Sequence, residues 1–380
     1  MNRFLRNILL LIAASIVLKV AYLVFAYYVL DNPEVLTLDG YSSILNRNDA
    51  SWYEKIANNW YPEITDVRDL GYSHDADFKQ SEWAFFPLYP WLNRVMMSLF
   101  HITFNQSGFI LSLLFSTLAF IGFYIFCELF TRDPKRSLYC SLVFLLFPFH
   151  YYFSMMYSEA LFFTLLIFAF ISIHNRKYYF IPFLLFPLAL VRPFGIIALV
   201  PLYLYYLERE NILVGYKLDL KTLFSRRNIL KSLLFITGPI AFLLYLVYQK
   251  QMTDHYFAFS IAQAGWYREF RLPFLSFFRS GDFPTQFNSV FTILLIVFSA
   301  FIWKRNPLSL NIFIWLSILV PLCSGSVGSM PRFGSVLFPL TIIVGTWLYQ
   351  NKCRSAILVL FFALQIFVFY YWLQWHPFSF

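Results

Sequence analysis

Nine polar residues in this 380-residue chain combine types and positions that could carry chemistry. Asp49 stands in Asn48-Asp49-Ala50-Ser51-Trp52-Tyr53-Glu54-Lys55-Ile56-Ala57, and Glu82 in Ser81-Glu82-Trp83-Ala84-Phe85-Phe86-Pro87-Leu88-Tyr89-Pro90. Tyr157 and Glu159 close the aromatic stretch that begins at Tyr151, and Arg192 interrupts the apolar run Leu190-Val191-Arg192-Pro193-Phe194-Gly195. Gln263, Trp266 and Arg268 share the segment Ala258–Arg268, and Arg332 follows Met330-Pro331. A carboxylate can take a proton from a reacting group. Arginine offers a planar fork that suits phosphate better than the point charge of lysine. An ionisable group at membrane depth costs several kcal/mol unless paired or hydrated, which makes Arg192 and Glu159 functional candidates by default. Each has a bland alternative: Arg268 and Arg332 as snorkelling interface residues, Glu159 as a helix cap, Asp49 as one acid among many in a solvated loop. The cluster His74-Asp75-Ala76-Asp77 is a weak metal signal, being short and set in an acidic loop.

The elements that must position these residues are set by composition. The chain is 59% hydrophobic and 22% aromatic, with 13% charged residues and a mean hydropathy of +0.62. Soluble domains carry roughly twice that charged fraction. Apolar runs lie at roughly 7–30, 108–130, 137–154, 159–174, 177–190, 194–207, 231–249, 286–303, 308–323, 333–349 and 355–373. The expectation is an all-α, polytopic transmembrane bundle of about eleven spans in a single domain, 1–380. A first extracytoplasmic loop with an interfacial helix (31–104) and a second loop (250–285) would stand outside it. Phe85–Phe100, with Pro87, Pro90 and Arg94, reads as amphipathic and interfacial. The first run is too long for a signal peptide, and no small-residue cleavage site follows Leu30, so it is expected to be retained. Cys127, Cys140, Cys323 and Cys353 form no spaced motif, which argues against a disulfide framework or thiolate metal site.

Charge gives the orientation. Between Asp31 and Glu82 eleven acids face four bases, −7, which leaves +16 for the rest of a chain whose total is +9. The basic turns at Arg132–Arg136, Arg176–Lys177, Arg209–Lys231, Lys304–Arg305 and Lys352–Arg354 all fall on one side if Phe85–Phe100 is not a span. By the positive-inside rule that side is cytoplasmic, with the N-terminus there and the C-terminus and acidic loop outside. A basic protein of this pattern is not a nucleic-acid binder.

Taken in order, these motifs resemble those of PIG-V-type mannosyltransferases, most closely their bacterial branch. The resemblance is carried by Asp49-Ala-Ser-Trp-Tyr-x-x-Ile-Ala, Phe85-Phe-Pro-Leu-Tyr-Pro, Phe147-Pro148 with Phe153-Ser154 and Tyr157-Ser158-Glu159, Arg192-Pro-Phe-Gly, Gln263-x-x-Trp266 and Pro331-Arg332-Phe333. It covers most of the chain. The residue before Asp49 is Asn48, which fits less well with protein O-mannosyltransferases, where an adjacent acidic pair is found. The resemblance implies a GT-C-type glycosyltransferase in the cell membrane. Such an enzyme moves a hexose, mannose by family expectation, from a polyprenyl-phosphate donor to a hydroxyl of a glycolipid, glycan or protein. Transfer would occur at the extracytoplasmic face, by direct displacement with inversion. On that reading Asp49 is the base, Arg192 and Arg332 hold phosphate, and Glu82 and Glu159 position the acceptor or orient an arginine. Tyr157, Gln263, Trp266 and Arg268 line the donor site. Metal dependence stays open on this reading, since Asp49 and Glu82 could ligate a divalent cation as well as do acid–base work. Rival readings are a lipid-linked-sugar transporter or flippase, which usually carries internal repeats that are not seen here, and a non-catalytic assembly subunit.

Overall fold

Apolar side chains sheltered from water and backbone amides that must all be paired favour helix along most of this sequence. In the computed structural model, which describes residues 3–71, 79–278 and 281–377, nearly all regular structure is helical. Among the described residues sheet is confined to two antiparallel strands of two residues each, β1 (Leu213–Val214) and β2 (Lys217–Leu218). The chain is therefore all-α, as expected.

The first helix, α1 (Arg3–Leu30), is followed by two short ones in the acidic loop, α2 (Leu38–Leu45) and α3 (Asp49–Asn59). Next comes α4 (Leu88–Phe100), about 20 Å long and too short for a hydrocarbon core of about 30 Å. It buries Tyr89, Pro90 and Asn93 and exposes Trp91, Leu99 and Phe100.

Helix α5 (Phe104–Thr131) starts on a capping box in which Thr103 and Gln106 each satisfy the other's backbone amide. Helix α6 (Pro134–Leu146) starts on Asp133, whose carboxylate accepts from the amides of Lys135 and Arg136. Helices α7 (Glu159–His174), α8 (Ile181–Leu188), α9 (Pro193–Ile197) and α10 (Leu199–Arg209) lead to the hairpin β1–β2. Beyond it lie α11 (Leu220–Leu223), α12 (Arg226–Leu233), α13 (Thr237–Thr253) and α14 (Ala258–Ala262). The last elements are α15 (Phe283–Phe301), α16 (Leu308–Leu322), α17 (Met330–Gly334), α18 (Phe338–Gln350) and α19 (Arg354–Leu373).

Among the described residues five helical stretches are long and apolar enough to cross a membrane: α1, α5, the run Arg226–Thr253 formed by α12 and α13, α15 and α19. The other six apolar runs are helical but shorter or broken. Pro148 follows the end of α6, Pro187 lies near the end of α8, and Arg192-Pro193 separates α8 from α9. Proline removes an amide donor and disfavours helix in the residue before it, so a hydrophobic run and a continuous helix part company at these points.

The core is a set of helix crossings filled by aromatic rings, with Phe144 between Phe123 and Phe163 at centroid distances of 4.4 and 4.8 Å. Small residues admit the closest approaches. A Cβ on Gly345 of α18 would lie 2.5 Å from the Cα of Cys140 on α6. The first loop is tied to the last helix by Arg47. Its buried guanidinium donates from Nη1 to the carbonyls of Trp372 and Leu373 at 3.0 and 2.9 Å. It also lies 5.0 and 4.5 Å from the rings of Trp372 and Trp375. These carbonyls belong to the last turn of α19, where that of Trp372 also accepts from the amide of Trp375 at 3.2 Å, and Arg47 acts there as a cationic cap.

Candidate active site

Two of the acids occupy the first position of a helix, where a negative charge is favoured by the helix dipole. Asp49 opens α3 and Glu159 opens α7. Asn48, at the N-cap of α3, has φ 54° and ψ −116°, outside the left-handed helical well and costly for a residue with a Cβ. That conformation directs the start of α3 and with it the Asp49 carboxylate. Arg192 is the extended residue before Pro193, and Arg332 lies in the short α17. The turn that carries Arg192 needs Gly195, because a Cβ there would lie 2.0 Å from the carbonyl oxygen of Leu188.

These helix ends meet around a cavity of about 1080 Å³. At its centre is a chain of charge. Arg332 donates from Nη2 to Oδ2 of Asp49 and from Nε to Oε1 of Glu159, both at 2.6 Å. Arg192 donates from Nη1 to the same Glu159 oxygen at 3.0 Å. Glu159 has no solvent exposure, and its Oε2 is buried without a hydrogen-bond partner. Rings flank the guanidiniums: Tyr157 lies 4.5 Å from Arg332, and Phe333 lies between Arg192 at 5.7 Å and Arg268 at 5.5 Å. Tyr53 donates to Ser158 at 3.0 Å, and burial, with Asp49 and Glu159 adding, pushes its phenol up.

Arg268 differs from the other two arginines. Its guanidinium has no ion pair or hydrogen bond among the described residues. Burial lowers it to about 10; Asp49 opposes the fall, and Arg332 and Arg192 add to it. It remains a cation at neutral pH. Glu269 also lines the cavity, but its carboxylate is taken by Arg271 at 3.1 Å. Three arginines against Asp49 and Glu159 leave one positive charge without a counter-ion.

The cavity is mixed in character. Charged groups line it together with the apolar side chains of Phe162, Phe194, Val320, Pro321 and Val336, and the Phe162 ring lies 5.7 Å from the Arg192 guanidinium. Such a space can take a ligand with an anionic head and an apolar tail. Gln263 donates to the carbonyl of Ala84 at 3.2 Å, and the Trp266 ring lies 5.4 and 5.5 Å from Phe85 and Trp52.

Of the residues singled out in the sequence, Asp49, Tyr157, Glu159, Arg192, Gln263, Trp266, Arg268 and Arg332 all line or face this cavity. Glu82 does not. It pairs with Lys55 at 3.1 Å, outside the cavity lining, so it is not gathered with Asp49 to share an acceptor or a cation. The reason is local: α3 carries Lys55 two turns beyond Asp49, and the 3-10 turn Glu82–Ala84 packs its carboxylate against that lysine. Among the described residues no three His, Cys, Asp or Glu side chains gather as a metal site, and His74–Asp77 lies outside them. Sequence reasoning missed the end of α16, where Ser317, Pro321, Cys323 and Ser324 line the cavity. A run of small residues after an apolar helix, Ser324-Gly325-Ser326, was the available signal.

No protein-family model matches this chain, and no curated protein matches it in sequence.

Proposed function

We propose that the chain is a multi-pass membrane glycosyltransferase of the GT-C type. It moves a hexose, mannose in the first instance, from a polyprenyl-phosphate donor to a hydroxyl of a glycolipid, glycan or protein at the extracytoplasmic face. The eleven-span topology with a cytoplasmic N-terminus belongs to this reading and rests on the alternation of basic turns. The observation that carries the proposal is the cavity itself. Its lining combines a carboxylate, Asp49, an arginine without an ion pair, Arg268, and apolar side chains that include Phe194, Val320 and Val336.

In the proposed step the acceptor oxygen attacks the anomeric carbon from the face opposite the phosphate. The new C–O bond forms as the bond from that carbon to the phosphate oxygen breaks, and its electron pair leaves with the phosphate. The acceptor's proton passes to Asp49. Asp49 keeps Oδ1 clear of hydrogen bonds among the described residues, while Arg332 holds Oδ2. Arg268 meets the phosphate first, and the growing negative charge draws Arg332 and Arg192 from their carboxylates. This modifies the sequence expectation, in which Arg192 and Arg332 were the holders. Both are engaged by Glu159, which becomes the residue that aims them.

The test is transfer from radiolabelled polyprenyl-phosphate mannose to the cell's own glycolipids and proteins, with Asp49→Asn as control. The amide can still accept from Arg332, so the variant should fold and bind donor while transfer falls by about 10²–10⁴. Near-normal transfer by that variant removes Asp49 from its role. Absence of transfer from any polyprenyl-phosphate sugar, with the lipid moved between leaflets instead, favours the flippase reading.

A further inference from the structure

A second cavity, about 570 Å³, shares no lining residue with the charged one and lies between α10 and α12 on the side of the basic turns. Leu199, Tyr203, Phe224, Ile229, Leu233 and Ile236 form most of its lining, which is almost wholly apolar. The connection that closes it carries large apolar residues outward: Tyr216 is 74% exposed and Phe224 67%, with Val214 and Leu220 similarly placed. Such residues on a connecting segment suit the boundary between headgroups and acyl chains, not bulk water.

The charges of the same stretch are unevenly satisfied. All three of its acids are engaged. Glu208 accepts from the amide and hydroxyl of Ser309, Glu210 from Lys231 and Tyr178, and Asp219 from the amide and hydroxyl of Thr222. Lys217, Lys221, Arg226 and Arg227 are exposed, and their side chains have no hydrogen bond or ion pair among the described residues. Arg226 precedes Ile229 by three positions and Leu233 by seven, so it shares their helical face and stands at the end of the groove. The side chain of Ser225 leaves the first amides of α12 uncapped beside it.

We propose that this groove binds an anionic phospholipid of the facing leaflet. One acyl chain lies along Leu199, Tyr203, Ile229 and Leu233, and the phosphate is held by Arg226 and Arg227 at the start of α12. Charge complementarity selects this occupant. An apolar channel with unpaired arginines at one end matches a hydrocarbon chain ending in a phosphate, whereas a zwitterionic headgroup adds a cation where four already stand. The site is independent of the catalytic reading and does not need it.

The test is native mass spectrometry of the full chain in detergent, titrated with phosphatidylglycerol and with phosphatidylcholine. Wild-type protein should retain phosphatidylglycerol preferentially. The Arg226→Gln/Arg227→Gln double variant, altered at two exposed positions, should bind phosphatidylglycerol roughly 30-fold more weakly and phosphatidylcholine as before. Leu233→Trp, which fills the groove and leaves the arginines in place, should weaken retention of both lipids. Equal retention of the two lipids by wild type overturns the proposal, as does undiminished phosphatidylglycerol binding by the double variant. Displacement of phosphatidylglycerol by glycerol phosphate at equal concentration would assign the arginines to a soluble anion. A dimer that Leu233→Trp separates would assign the groove to a second copy of the chain. Either outcome refutes the lipid.

Discussion

Glu159 offers the sharpest perturbation of the charged cavity. Its Oε1 accepts from Arg192 at 3.0 Å and Arg332 at 2.6 Å with no solvent exposure. Glu159→Ala leaves two guanidiniums with the single carboxylate of Asp49, and breaking a buried pair in this way costs about 3–5 kcal/mol. Glu159→Gln retains an oxygen that can accept both hydrogen bonds, so the main loss is charge. Both bonds stay charge-assisted through the guanidiniums, so the cost should fall below the roughly 3–5 kcal/mol of Glu159→Ala. Reversible unfolding in mixed micelles of wild type, Glu159→Gln, Arg332→Gln and the double variant isolates the pair. The coupling energy should be about 1.5 kcal/mol or more. The same cycle with Arg192, at the longer distance and more exposed, should give less. A coupling to Arg332 below about 0.5 kcal/mol would falsify the claim that Glu159 holds that arginine, and with it the order of phosphate contacts proposed above.

Arg268→Ala should weaken binding of polyprenyl phosphate by about 10- to 100-fold, with little effect on unfolding because no carboxylate is left behind. Arg268→Lys should recover only part of the loss, since the planar fork is gone, and equal affinity in all three proteins removes Arg268 from the donor site. Arg47→Leu deprives the last turn of α19 of two charge-assisted hydrogen bonds, with an expected cost of about 1.5–3 kcal/mol. Hydrogen exchange should speed up at Trp372 and Leu373, and unchanged protection there refutes the capping role. At Glu210 burial raises the carboxyl, but hydrogen bonds from Lys231 and Tyr178 outweigh it and hold the group below the usual range. Its stabilisation is therefore complete above the unfolded value of about 4.3 and is lost as pH falls through the lower folded value. Glu210→Gln should lower the unfolding midpoint at neutral pH and flatten the acid limb; parallel acid limbs would contradict the pairing.

The helices were legible because their cause is written in composition. A run such as Phe283–Phe301 or Arg354–Leu373 has few ways to pair its amides while covering its side chains, and both appear as continuous helices. Lengths were less legible where proline intervenes. The two runs 177–190 and 194–207 appear as three helices: Arg192-Pro193 separates α8 from α9, and a further break at Ala198 that hydropathy does not register separates α9 from α10. The Asn48 backbone was illegible for a different reason: φ 54° with ψ −116° lies outside the left-handed well that asparagine tolerates, so the residue type does not announce it.

The site residues divide along a similar line. Asp49 and Arg332 are 283 positions apart, and nothing local to either implies a 2.6 Å contact. Glu82 and Glu159 both follow a serine and both adjoin aromatic rings, yet one meets an exposed lysine and the other is enclosed with two arginines. For the arginines, depth in the apolar sequence proved a poor guide to availability. Arg192 drew attention because an arginine among apolar residues is costly, but that cost is met within the protein by Glu159. Arg268 sits in a loop, where a cation needs no special explanation, and the fold then places it, half-buried, in the cavity without a carboxylate partner. A buried cation is stabilised either by a fixed anion or by one that arrives with a ligand. Glu269 is held by Arg271, and the carboxylates of Asp49 and Glu159 are shared by two other arginines, so the fixed anions around Arg268 are already committed. That leaves a mobile anion as its natural partner, and the apolar side chains that share the cavity lining, Phe162, Phe194 and Val320 among them, favour one carried on a hydrocarbon chain.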